Sequence, residues 1–298
     1  MKPSRHVTAV LVLAAFGAVG CSKRSDTSQA KAAPADVAQP KPITAPVESV
    51  APKSVDGEGF DPKTAPKITG SFADGEAAYR DKKYGDAAAI FEGYTERRPG
   101  NAWGYYMLGL SAWKSGDLTK SEQAFEKALS IDPHHVKSLV NESRVFIDQK
   151  RNDDAIDRLT RASMIEPESA EVFRLLGRAY HAKGQTDEAV EAYRAAIELN
   201  TSDVWSMNNL GLVLLEAKRA DEALPLLEKA VELRKDVPEF QNNLGMALEH
   251  TGHFKAAAAA YSGALTTDPS YAKAKQNLAR VEAVKTGPEE DDERAGSK

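Results

Sequence analysis

Side chains suited to binding recur at a fixed interval along this 298-residue chain. Asn141, Asn209, Asn243 and Asn277 are separated by 34 residues or twice that, and Asn208 and Asn242 stand directly before two of them. A side-chain amide both donates and accepts hydrogen bonds. A row of amides can therefore grip the backbone of an extended peptide whatever its sequence, or bond to neighbouring helices and only orient them. Arg144, Arg174, Arg178 and Arg280 add cationic donors, while Trp103, Tyr106, Trp113 and Trp205, with Met107 and Leu110, supply aromatic and apolar surface. Nothing of catalytic type accompanies them, since the chain has no phosphate loop, nucleophile elbow or zinc-protease helix. His134 and His135 sit in a proline turn, and His250 and His253 flank Thr251-Gly252 without the cysteine or carboxylate set that would complete a metal site. The reading is a non-enzymatic binding protein without metal or cofactor.

The elements that must position these residues follow from the same interval. Steps of 34 from Gly75 land on Gly109, Ser143, Gly177, Gly211 and Gly245, and steps from Ala87 land on Ser121, Ala155, Ala189, Ala223 and Ala257. A third series runs Phe91, Phe125, Leu159, Tyr193, Leu227, Tyr261. Two more follow it, Tyr94, Ala128, Ala162, Ala196, Ala230, Ala264 and then Pro99, Pro133, Pro167, Thr201, Lys235, Pro269. Six such units occupy residues 68–271 without an insertion. Here the chain resembles the tetratricopeptide repeat family, whose unit is a pair of antiparallel helices. The resemblance implies an all-α, right-handed superhelical solenoid with units at 68–101, 102–135, 136–169, 170–203, 204–237 and 238–271. A capping helix over 272–286 closes it. Small residues at the glycine and alanine positions let the two helices of a unit approach. The aromatic series is expected to fill the space between one unit and the next, and the prolines end the second helix. Gly116, Lys150, Gly184, Lys218 and Gly252 fall in the turn within a unit, where positive φ is useful.

The resemblance also implies a concave face lined by the first helix of each unit, with a partner segment held in it. Its exposed positions are expected to be Trp103, Tyr106, Met107, Leu110 and Trp113 in the second unit, Asn141 and Arg144 in the third, and Arg174 and Arg178 in the fourth. Trp205, Asn208, Asn209, Asn242 and Asn243 follow in the fifth and sixth, then Asn277 and Arg280 in the capping helix. The asparagines are similar to the ladders of peptide-binding family members. The arginines resemble in type those that clamp a chain-terminal carboxylate, and are otherwise solvated. Two units depart from the pattern. Asp74 stands where later units carry Leu108, Leu176, Leu210 and Leu244, which an end unit facing water tolerates. Glu142-Ser143 replaces Leu-Gly in mid-array, where the carboxylate is expected to be locally exposed or to meet Arg144 or Lys137. A kink or a ligand contact at Glu142 is the sharper reading.

The flanks set the compartment. Residues 1–20 carry Lys2, Arg5 and an apolar run too short to span a bilayer, which reads as a secretory signal. Ala18-Val19-Gly20-Cys21 resembles a bacterial lipobox, with Ala18 where leucine is usual, and implies lipid on Cys21, the chain's only cysteine. The alternative is an ordinary cleaved signal and a secreted or soluble periplasmic protein. Ser22 after the cysteine implies, by resemblance, the outer membrane, facing the periplasm. Residues 21–67 hold seven of the fifteen prolines among alanines and lysines and read as a disordered tether. Residues 287–298 form an acidic tail. Removal of residues 1–20 leaves 37 basic against 44 acidic side chains, a formal charge of −7, which disfavours nucleic acid.

Together these features imply a lipid-anchored scaffold that binds a protein segment while an envelope complex assembles. Its membrane contact is the lipid on Cys21. Similar lipoproteins serve as pilotins of type IV pilus secretins, in outer-membrane barrel assembly, or as adaptors of peptidoglycan enzymes. The other expectations are a regulator of a periplasmic enzyme and a self-associating module built on the aromatic face around Trp103 and Trp113.

Overall fold

A computed structural model describes residues 70–285, with side chains through residue 283. The expected signal, Cys21, the 21–67 tether and the acidic tail lie outside the described residues.

Among the described residues the chain forms thirteen α-helices and no strand. The pairs are α1 (Phe72–Arg80) with α2 (Tyr84–Arg97), α3 (Ala102–Ser115) with α4 (Leu118–Ile131), and α5 (Val136–Asp148) with α6 (Asn152–Ile165). Then come α7 (Ala170–Ala182) with α8 (Thr186–Leu199), α9 (Val204–Glu216) with α10 (Ala220–Leu233), α11 (Pro238–His250) with α12 (Phe254–Thr267), and the single α13 (Ala272–Lys285). Each helix packs on its neighbours in the chain. The first helices also meet across units, α3 on α5, α5 on α7, α7 on α9, α9 on α11 and α11 on α13. That contact makes a superhelical solenoid with one continuous inner face.

Local chemistry sets the helix ends. Ser71 and Asp74 form a capping box: the Ser71 N–H donates to the Asp74 carboxylate at 2.7 Å and the Asp74 N–H to Ser71 Oγ at 3.2 Å. Asp74 is exposed there, as an end unit allows. Asn101, Asp117 and Asp203 cap α3, α4 and α9 by accepting a backbone N–H, as does the His135 ring for α5. The turn residue within each unit has positive φ. It is Gly116, Gly184 and Gly252 in the second, fourth and sixth units but Lys82, Lys150 and Lys218, at φ 61–62°, in the others.

The core shows why the small residues recur. A Cβ on Gly211 would lie 2.6 Å from Leu227, and one on Gly245 would lie 2.5 Å from the Tyr261 ring, so the second helix of the pair presses its large side chain onto bare backbone. The same holds for Gly109 on Phe125 and Gly177 on Tyr193. These side chains therefore fill their own helix pair and also face the next unit, as the sequence implied, with Phe125 in one cluster with Val145 of α5, Tyr193 with Val213 of α9 and Tyr261 with Val281 of α13. The alanine series meets the same backbone, and at its serine member Ser121 Oγ donates to the Gly109 carbonyl at 2.8 Å.

Glu142 corrects the sequence expectation. It is neither exposed nor bonded to Arg144 or Lys137. It is 0% exposed, and Oε2 accepts from Arg158 Nε of α6 at 2.5 Å. Its side chain leaves α5 on the face that packs against α6, where leucines sit in other units, while Arg144 points along the opposite face toward Glu171. Oε1 is buried without a hydrogen-bond partner among the described residues. Burial pushes the Glu142 carboxyl above its ordinary range despite the guanidinium beside it.

Candidate functional site: the inner face of the first helices

The inner face begins at an aromatic cluster. Trp103 and Tyr106 of α3 stack at 4.9 Å between ring centroids, and the His135 ring meets both, at 5.6 and 5.3 Å. The Lys137 ammonium lies 4.9 Å from the Trp103 ring, a cation–π arrangement. Ser138 fixes the imidazole, its N–H donating to Nδ1 at 3.2 Å with its hydroxyl 2.8 Å from the same atom. Burial holds the His135 pKa below its ordinary value, so the ring is neutral at pH 7. Beside this cluster Tyr106, Val136, Val140, Asn141, Arg144 and Glu171 line a cavity of about 350 Å³. Of the expected aromatic surface, Trp103 is 38% exposed, Trp113 is half-buried, and Tyr106 and Met107 are buried. The stack with Trp103 and His135 covers Tyr106, and packing in the α3–α4 core covers Met107.

The arginines are neither free nor gathered into one clamp. Arg144 bonds Glu171 and donates to Asn141 Oδ1 at 2.8 Å. Arg174 pairs with the buried Asp203 at 3.0 Å, and Arg178 reaches Asp148 at 3.6 Å. Asp148 also accepts from the Trp113 indole at 2.9 Å. Apart from the Arg144–Asn141 bond within α5, each link joins the first helix of one unit to the first helix of a neighbouring unit or, for Asp203, to the residue that caps it. The half-exposed or exposed ends of these pairs are worth little in water, while Asp203 is held more firmly because burial leaves it no water to turn to. Asp203 and Asp148 carry no signal in the sequence pattern, since they lie in a turn and at the far end of a helix, and His135 stands out there only as a metal candidate.

In the C-terminal half the amides bond to one another. Asn277 donates to Asn242 Oδ1 at 2.9 Å, Asn242 to Asn243 at 3.3 Å, Asn243 to Asn208 at 2.8 Å and Asn208 to Asn209 at 3.3 Å. Asn208, Asn242 and Asn243 are buried, and so is Asn141, which donates to the Lys137 carbonyl at 2.8 Å; only Asn209 and Asn277 keep part of their surface. The expected exposure of the four buried asparagines is thus corrected, because the next unit's first helix closes over them. Trp205 stands clear at 48% exposed, its ring edge-on to the buried Phe240 at 5.1 Å. Arg280 is exposed and bonds Glu249 and Asn277.

Known proteins share this arrangement of helices. Family models described as "Tetratricopeptide repeat" match residues 72–136, 208–272 and 112–179, and one described as "TPR repeat" matches 177–218. The chain belongs to the tetratricopeptide repeat family. Members of this family act as protein–protein interaction scaffolds. A curated relative, the small glutamine-rich tetratricopeptide repeat-containing protein 2 of Mycosarcoma maydis, is 30% identical over 95 residues, which are 32% of this chain and 27% of that protein. The chain thus spans about a quarter of that relative's length, and 12–17% of four other curated relatives. Among solved structures, that of MamA is 27% identical with a TM-score of 0.51 over 56% of this chain and 97% of MamA. That of Pseudomonas aeruginosa pilF, 21% identical, has a TM-score of 0.56 over 63% of this chain and 86% of pilF. The second likeness concerns the fold alone.

Proposed function

We propose that this tetratricopeptide repeat protein is a lipid-anchored scaffold of the bacterial cell envelope that holds an extended segment of a protein partner along its inner face. The observation that carries the reading is the exposure of Trp103 and Trp205, at 38% and 48%, on a face whose other polar groups are largely satisfied internally. Aromatic side chains left open beside a closed network are suited to anchor a partner's apolar side chains, since the surrounding polar groups exclude water without demanding bonds of their own. Membrane attachment rests on the lipobox-like Ala18-Val19-Gly20-Cys21, and the outer membrane on Ser22. Six units behind such a sequence support assembly of an outer-membrane complex, with a secretin of the type IV pilus as the partner class. The test is affinity purification of the full chain from the native envelope. Trp103→Ala together with Trp205→Ala loses the co-purifying assembly protein at unchanged helix content. Undiminished recovery of that protein overturns the reading.

A further inference from the structure

Each amide bond along the inner face of the C-terminal half points the same way. Arg280 Nη2 donates to Asn277 Oδ1 at 2.9 Å, and the amides then pass the donation on through Asn242, Asn243 and Asn208 to Asn209, which stands beside Tyr193. The steps between units, at 2.8 and 2.9 Å, are shorter than the steps within a unit, both 3.3 Å. The row therefore starts on α13, crosses α11 and ends on α9, next to Tyr193 of α8. Its start is a guanidinium, which can only donate, so the cation fixes the direction of every amide behind it. The Arg280 guanidinium is itself held by Glu249, whose other oxygen accepts from the Tyr261 hydroxyl at 2.9 Å. Beyond the far end stands the Tyr193 phenol, which burial keeps protonated.

A row of this kind does not exist further toward the N-terminus. The positions of Asn208 and Asn209 are taken by Arg174 and Leu175 one unit earlier, by Val140 and Asn141 before that, and by Tyr106 and Met107 in the second unit. There the inner face is joined by separate ion pairs. Hydrogen bonds in a chain polarise one another, so removing one member weakens its neighbours. In a solenoid whose stability is otherwise a sum of nearest-neighbour terms, a mutation in the last helix is felt in the last unit only. We propose that the amide row couples the closing helix α13 to the α8–α9 region two units away, so that an occupant touching Asn209 or Asn277, the two amides with remaining surface, stiffens the whole C-terminal half together. This coupling stands whether or not the partner reading is right.

Hydrogen exchange on the full-length protein tests it. Asn277→Ala removes the amide nearest the cation, and Leu278→Ala loosens the same helix through the apolar cluster around Tyr261 without touching the row. The coupling gives about fivefold or faster exchange in α9 and the C-terminal turns of α8 for Asn277→Ala, and acceleration confined to α11–α13 for Leu278→Ala. A cycle of Asn277→Ala with Asn209→Ala, sites with no shared contact, supplies the second readout in urea. Distant substitutions ordinarily add. The row instead predicts a double-variant midpoint shift clearly smaller than the sum of the single shifts, because the first break already releases the rest. Additive shifts, or exchange confined to α11–α13 in both single variants, overturn the proposal.

Discussion

Replacing Glu142 by leucine is expected to stabilise the array. The equivalent positions hold Leu108, Leu176 and Leu210, which are 6%, 6% and 1% exposed, so the backbone at this site accepts leucine and buries it. Full burial of such a side chain is worth about 1.5–3 kcal/mol. Against this stands the loss of the bond to Arg158, worth about 1.5–3 kcal/mol as a hydrogen bond to a charged group. That loss is softened because Arg158 is 23% exposed and keeps Asp157 at 2.9 Å. The deciding contribution is the desolvation of the carboxylate, several kcal/mol, with one oxygen left unpartnered. The net gain at neutral pH is about 1–3 kcal/mol, or roughly 2–4 °C of melting temperature per kcal/mol. Circular dichroism melts measure it, with hydrogen exchange in α5 and α6 as the local readout, since a repeat array need not melt as one unit. The pH dependence follows from the raised pKa. The folded state binds this proton more readily than the unfolded chain, so the penalty is present above the raised value and fades as pH falls toward the ordinary 4.5. The gap between variant and parent should therefore narrow on acidification. A less stable variant at pH 7, or a gap that widens in acid, refutes the reasoning.

Three further outcomes are expected. Gly211→Ala puts a methyl group 2.6 Å from Leu227 and should cost about 1–3 kcal/mol in denaturant unfolding, whereas Gly85→Ala, with nothing within 4 Å, should gain up to about 1 kcal/mol. Lys218→Gly relieves a non-glycine residue held at φ 61° and should gain about 1 kcal/mol in thermal melts, while Gly184→Lys, made at φ 75°, should lose a similar amount. Cys21→Ser removes the thiol that would carry lipid, and fractionation of cells should then find the protein in the soluble periplasm. Retention in the membrane fraction would show that attachment has another basis.

The fold was legible because one interval runs through small, aromatic and proline positions together, and each has a local steric role that needs no partner to be recognised. The inner face was harder to read. The Glu142 partner was sought among neighbours on its own helix, whereas it comes from α6, where Arg158 stands in the series occupied by Ala124, Ala192 and Leu226. Glu142 and Arg158 each break their own series in the same unit, and that coincidence is the signal in the sequence of a matched pair. The asparagine row carried its signal too, since adjacent pairs at 208–209 and 242–243 place a bond between residues one repeat and one position apart. Exposure was not legible for Tyr106 or Asn242, because it depends on how closely the following first helix stacks.

The proposed scaffold receives its partner on the inner face and not on the outer one. Site-specific photocrosslinking in intact cells tests this most directly, with the reactive residue placed at Trp103, at Trp205 or, as a control, at the exposed Glu228 of α10. Trp103 and Trp205 are expected to capture the same envelope assembly protein, at adjacent stretches of one segment, and Glu228 is not. Capture of that protein from Glu228 alone would contradict this placement of the partner.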